Sequence, residues 1–145
     1  MKTLPQVIDE IKAAATSSGL INQIKMVKVE KDIDDIFEDA NFRSLYIVID
    51  DADILGRSDY FGISLFVMDK ATNSTDDAYL YSIQDGIAVL RIISDRLNYV
   101  TDGSIDAKLG NINIVSGESS GELITLLNTT ISYALSPVPN IHIND

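Results

Sequence analysis

Three aspartates, Asp50, Asp51 and Asp53, stand close together at the end of a strongly apolar run. Carboxylates at a strand end can hold Mg²⁺ or move protons in a hydrolase. No His or Lys cluster accompanies them, and turn formation is the ordinary work of such aspartates. A second acidic set occupies residues 30–43, EKDIDDIFEDANFR. It holds Glu30, Asp32, Asp34, Asp35, Glu38 and Asp39 against Lys31 and Arg43. A calcium loop needs oxygen ligands at alternate positions, a glycine at its sixth place and a glutamate at its twelfth. Counted from Asp32, the sixth place is Phe37; counted from Asp51, Gly56 fits the sixth place but Gly62 takes the twelfth. Neither register makes a calcium loop, so a solvated acidic surface is the ordinary reading.

The remaining chemistry-bearing residues are sparse. His142 is the only histidine, in a proline-punctuated tail where no acid is placed to orient it. Asn73-Ser74-Thr75 and Asn128-Thr129-Thr130 match the glycosylation triplet, which carries weight only in a secreted chain. No G-x-G-x-x-G or Walker A phosphate loop occurs. Lys25, Lys28 and Lys31 form the one basic spacing of note, and beside six acids they suit ion pairing between subunits or solvated charge. There is no cysteine, so disulfides, thiolate metal sites and a cysteine nucleophile are excluded. No cofactor is expected.

The elements that must position these residues follow from periodicity. Thr3 suits an N-cap and Pro5 a first helical turn. Leu4, Val7, Ile8, Ile11 and Ala15 share one face, which predicts a helix over 4–18 closed by Gly19. Ile24 to Val29 reads as a strand with imperfect alternation. Residues 30–43 read as a loop with a helical turn, or as an extended arm. Leu45 to Asp50 is a strong strand, 52–59 (ADILGRSD) a hairpin connection, and Tyr60 to Asp69 a strand with apolar residues on both faces. A helix runs from Tyr79 or Ser82 to about Asn98, with Ile83, Ile87, Leu90, Ile93 and Leu97 as its stripe. Residues 101–110 read as a polar loop. Asn111 to Val115 and Glu122 to Leu135 form a last antiparallel pair around the turn Ser116 to Gly121. Pro137 and Pro139 end the last strand.

The expectation is α+β: two helices packed on a mainly antiparallel sheet, in the order α-β-β-β-α-β-β. One domain spans 1–139, with a tail at 140–145. A chain of 145 residues suits one domain and buries roughly 68–70% of its unfolded surface. The start of the chain becomes charged at Asp9 and Glu10, so no signal peptide is expected, and no apolar window is long enough for a membrane span. The chain carries 22 acidic and 11 basic residues, net -11. That balance argues against gripping the DNA backbone, which takes clustered Lys and Arg.

Four stretches together carry a family resemblance: LYIVIDDADI, FGISLFVMDK, IQDGIAVLRIISDRL and LITLLNTTISYALSPVPN. They resemble small virion ring proteins of the connector and tail of crAss-like and related phages of Bacteroidetes hosts, with a tail-terminator-like fold. The likeness runs from about Leu20 to Pro139 and is most specific from Phe61 to Leu97. The last strand departs from it in not being rich in aromatic residues. The resemblance implies a non-enzymatic structural protein of the virion, made in the host cytoplasm. It would form a six-fold or twelve-fold homo-oligomeric ring that joins portal, connector or tail proteins, and DNA would pass without specific binding. Asp32, Asp34, Asp35, Glu38, Asp39, Asp50, Asp51 and Asp53 would then line a lumen or an interface. Carboxylates repel phosphate within a Debye length of about 8–10 Å. Lys25, Lys28, Phe37, Phe42, Ile141 and Ile143 would be contacts between subunits. The two alternatives from other classes are the Mg²⁺-dependent hydrolase on Asp50, Asp51 and Asp53, and a monomeric acidic adaptor that mimics DNA.

Overall fold

The computed structural model describes residues 3–28, 41–55, 58–71, 75–99, 107–119 and 122–135. Helix α1 spans Leu4–Ser17. Its first turn is a capping box: the Gln6 amide donates to Thr3 Oγ1 (3.4 Å), and the Thr3 amide donates to Gln6 Oε1 (2.8 Å). Gly19 follows the helix with φ +70°, the left-handed conformation that only glycine adopts cheaply.

The strands are β1 (Gln23–Met26), β2 (Ser44–Leu55), β3 (Ser58–Ala71), β4 (Ala107–Leu109), β5 (Asn113–Ser119) and β6 (Glu122–Leu135). Helix α2 spans Asp76–Tyr99, between β3 and β4. The sheet order is β1-β2-β3-β6-β4, and β5 also pairs with β6. Thus β4 and β5 share one side of β6, at Ile131–Tyr133 and at Glu122–Asn128 respectively. Only the β1–β2 pairing is parallel. The expected class and element order hold, with β4 as an addition.

Several boundaries differ from the sequence expectation. The hairpin connection is shorter than residues 52–59: β2 continues to Leu55 and β3 begins at Ser58, with Ala52, Asp53, Ile54 and Leu55 paired to Phe61, Tyr60, Asp59 and Ser58. Ser116 to Ser119 belong to β5 rather than to a turn, and Ala107–Leu109 form a strand inside the expected polar loop. In each case a long neighbouring strand supplies the ladder partners, so polar residues extend as strand. Helix α2 starts before Tyr79 because Thr75 caps it: the Ala78 amide donates to Thr75 Oγ1. Asp76 and Asp77 also complement the positive end of the helix dipole.

Both helices lie on one face of the sheet. Val7, Ile8, Ile11, Ala14 and Ala15 of α1 meet Val89, Leu90, Ile93 and Leu97 of α2. Beneath them lie Leu45, Ile47, Ile63, Leu65, Val67, Leu127, Ile131 and Tyr133. Each fully buried Leu or Ile stabilises the fold by about 1.5–3 kcal/mol. Arg96 Nε donates to Glu10 Oε2 at 2.7 Å and ties the helices at the surface. On the opposite face Val27, Tyr46 and Met68 form a smaller cluster with Phe42, Val48, Phe66, Ile124 and Leu126. Apolar residues on both faces of β3 are thereby explained. Among the described residues no helix is long and apolar enough to cross a membrane.

Candidate functional site

The bulge in β2 decides where the strand-end carboxylates go. Ile49 pairs with Ile63 and Asp51 with Gly62, so Asp50 is the extra residue. Ser64 Oγ donates to Asp50 Oδ2 in a short hydrogen bond, and Ser64 Oγ lies 3.1 Å from Thr130 Oγ1. Asp51 lies over Gly62: a Cβ there would come 2.1 Å from Asp51 Oδ1. Gly62 and Ser64 are alternate residues of β3, so both carboxylates reach the face opposite the helices. Asp50 and Asp51 are both exposed. The backbone of Asp53 pairs with Tyr60, and its side chain lies outside the described ones. A serine nucleophile needs a base of near-neutral pKa to take its proton. The partners of Ser64 are a carboxylate and a threonine, and no histidine lies beside it among the described residues. Among the described residues no three His, Cys, Asp or Glu side chains group to hold a metal.

A second polar cluster centres on Arg43, which sequence reading counted merely as one of two bases in the 30–43 stretch. Its Nε and Nη2 donate to Asp69 Oδ2 at 3.1 and 3.0 Å, and Nη2 also donates to Asp85 Oδ2 at 2.9 Å. Nη1 donates to the Leu20 carbonyl at 3.2 Å. Ser82 Oγ donates to Asp69 Oδ2 at 2.9 Å and lies 2.7 Å from Thr125 Oγ1. One guanidinium therefore joins the chain after α1, the start of β2, the end of β3 and α2, and Ser82 extends the cluster to β6. Its partners are far apart in sequence, so no local spacing announces it. Arg43 and Asp69 are mostly buried and satisfied, and the cluster locks the fold.

The other candidates scatter. Lys25 on β1 and Lys28 beyond it are exposed. Phe42 is half-buried in its own chain against the Tyr46 cluster, with the Lys70 ammonium 5.9 Å from its ring centroid. Asp32, Asp34, Asp35, Phe37, Glu38, Asp39, Ile141, His142 and Ile143 lie outside the described residues.

Sequence reading missed the surface formed by α2 and β5. Every residue from Asn113 to Glu118 is exposed. Ile114 is 45% and Val115 58% exposed, and Leu80, Tyr81 and Ile92 of α2 are exposed too. Ile114 pairs with Leu127, which faces the helices, and Val115 pairs with Leu126, which faces away. The strand therefore presents apolar side chains on both faces. Beside it, Ile87, Arg91, Ser94, Asp95 and Ile112 line an open groove of about 290 Å³. The signal available in sequence was NIV, an apolar pair without a charged neighbour, followed by residues that read as a turn.

No protein-family model matches the chain, and no curated protein matches it.

Proposed function

We propose that this chain is a structural assembly subunit, a ring-forming virion protein of a phage connector or tail. The observation that carries it is the bare strand β5, whose residues Asn113 to Glu118 are all exposed. Among the described residues β5 pairs only with β6, leaving one edge of backbone donors and acceptors open. An unpaired, partly apolar edge is a template for another chain. Ile114 and Val115 add exposed apolar side chains along that edge.

The acidity fits the same role. A net charge of -11 on each copy gives an assembled channel a field that repels phosphate. Asp50 and Asp51, exposed on the face away from the helices, are the described carboxylates to test as lumen-facing. The virion position and the joining of portal, connector or tail rest on the sequence resemblance.

Electron microscopy of the purified protein, and of phage particles with the subunit located by an inserted tag, tests the proposal. A closed ring placed between head and tail, with Asp50 and Asp51 on its inner wall, is the expected result. A protein that stays single at high concentration and labels no particle would refute it.

A further inference from the structure

We infer that the open edge of β5 receives the β5 strand of a second copy, antiparallel, about a two-fold axis at Val115. The inference rests on the assembly proposal in one respect, that the partner is another copy of this chain; a two-fold pair closes on itself, so ring closure would use a further surface.

The two ends of the sheet are built differently. β1 is short, four residues long, and carries the exposed Lys25, with Lys28 soon after it. Shortness and edge lysines are devices that discourage strand addition. β5 has seven residues, NIVSGES, with no lysine and no proline. Both its faces carry exposed apolar side chains, with Ser116 Oγ donating to Tyr79 Oη of α2 at 3.4 Å on the helix side, so an added strand would cover Ile114 on one side and Val115 on the other. Main-chain hydrogen bonds give such an addition its affinity, and alternate side chains set its register. The guarded β1 edge is a poor partner for β5. Like edge meeting like edge is the remaining arrangement, and a two-fold contact is self-complementary.

Charge selects the register. In an antiparallel pair, directly opposed residues share a face. With Val115 on the axis, Val115 meets its own copy on the face away from the helices. On the helix face Ile114 meets Ser116, and the two Ile114 side chains become diagonal neighbours. Glu118 then falls opposite Ile112, and Ile112 lines the groove that holds Arg91, with Asp95 one helical turn further along. Each copy's Glu118 is thus brought to the other's Arg91, twice by symmetry. Glu118 and Arg91 are both exposed in the single chain. This register joins the exposed apolar residues and pairs opposite charges between two copies that repel overall.

The chain contains no cysteine, which gives a clean test on the full protein. At physiological salt, light scattering should show a concentration-dependent dimer. Val115→Cys should form a disulfide dimer on mild oxidation, while Ser116→Cys, which faces Ile114, should not. Glu118→Arg or Arg91→Glu alone should weaken association by roughly tenfold, and the two together should restore it. Val115→Lys should give a folded monomer by circular dichroism. A wild-type monomer at every concentration overturns the inference. So does a dimer in which Val115→Cys stays unlinked, or a charge swap without rescue. Larger rings that persist in Val115→Lys overturn the β5 pair and leave the ring standing. A β5-linked dimer that never enters a larger assembly supports the pair and removes the ring.

Discussion

Replacing Arg43 with alanine should destabilise the protein by about 3–4 kcal/mol. The Arg43 side chain is 16% exposed and that of Asp69 13%, so the substitution leaves a mostly buried carboxylate without its cation. Breaking such a pair from one side costs about 3–5 kcal/mol. Asp69 keeps two donors, the Ser82 hydroxyl and the Lys70 amide, which places the cost near the lower end. Asp85 is 38% exposed and can rehydrate, so its share is roughly 0–1 kcal/mol. The Leu20 carbonyl loses a donor worth about 1 kcal/mol. Urea unfolding measures the loss directly, and the melting temperature should fall by roughly 10 °C. Asp69→Asn supplies the control, because a neutral amide does not strand a charge. Arg43→Ala should cost at least 1 kcal/mol less in that background. Arg43→Lys should recover only part of the loss, since one ammonium cannot reproduce the forked contacts. A loss below about 1 kcal/mol, or the same loss with and without Asp69→Asn, would refute the reasoning.

Tyr46→Phe should leave stability at pH 7 unchanged or raise it by about 1 kcal/mol, read by urea unfolding. The Tyr46 hydroxyl is buried without a hydrogen-bond partner among the described residues. Burial also raises its pKa above 10.0, with the neighbouring Ser44 pulling weakly the other way. The unfolded chain therefore ionises first, and stability falls as pH climbs past 10; Tyr46→Phe should make that fall shallower. Gly86→Ala should lower stability by about 1 kcal/mol. Its Cβ would come 2.9 Å from Leu127 Cδ2 in the core, and an overpacking cost of about 1–3 kcal/mol exceeds the helix gain of about 1. Adding Leu127→Val should cancel part of that loss in thermal melts. Thr3→Ala should remove about 1 kcal/mol and speed amide exchange in the first turn of α1.

The α+β order was legible because most elements carry their own signal. The capping box and apolar face of α1, the Leu90–Ile93–Leu97 stripe of α2 and the runs LYIVID and FGISLFVMD need no partner to be read. The errors cluster where a partner decides. DADIL, SGES and AKL have weak strand character, yet each lies against a long strand with free ladder positions. Polar side chains tell little about whether a backbone extends when β3 or β6 offers the hydrogen bonds.

Sites depend on such partner effects still more. Asp50 and Asp51 are adjacent in sequence and should point to opposite faces of a regular strand. A single inserted residue turns both toward Ser64 and Gly62, and nothing in DDAD marks it. The open β5 edge poses a different question, because an unguarded strand is an aggregation hazard that lysine or proline would ordinarily remove. Here the net charge of -11 supplies a general repulsion instead. It discourages every approach of two copies except those that gain local opposite-sign contacts. Arg91 and Glu118 flank the bare strand, so the approach that buries Val115 against Val115 is the one that repulsion penalises least. Acidity over the whole surface and a gap in protection at one edge then act together: the first suppresses indiscriminate stacking, and the second leaves one register open.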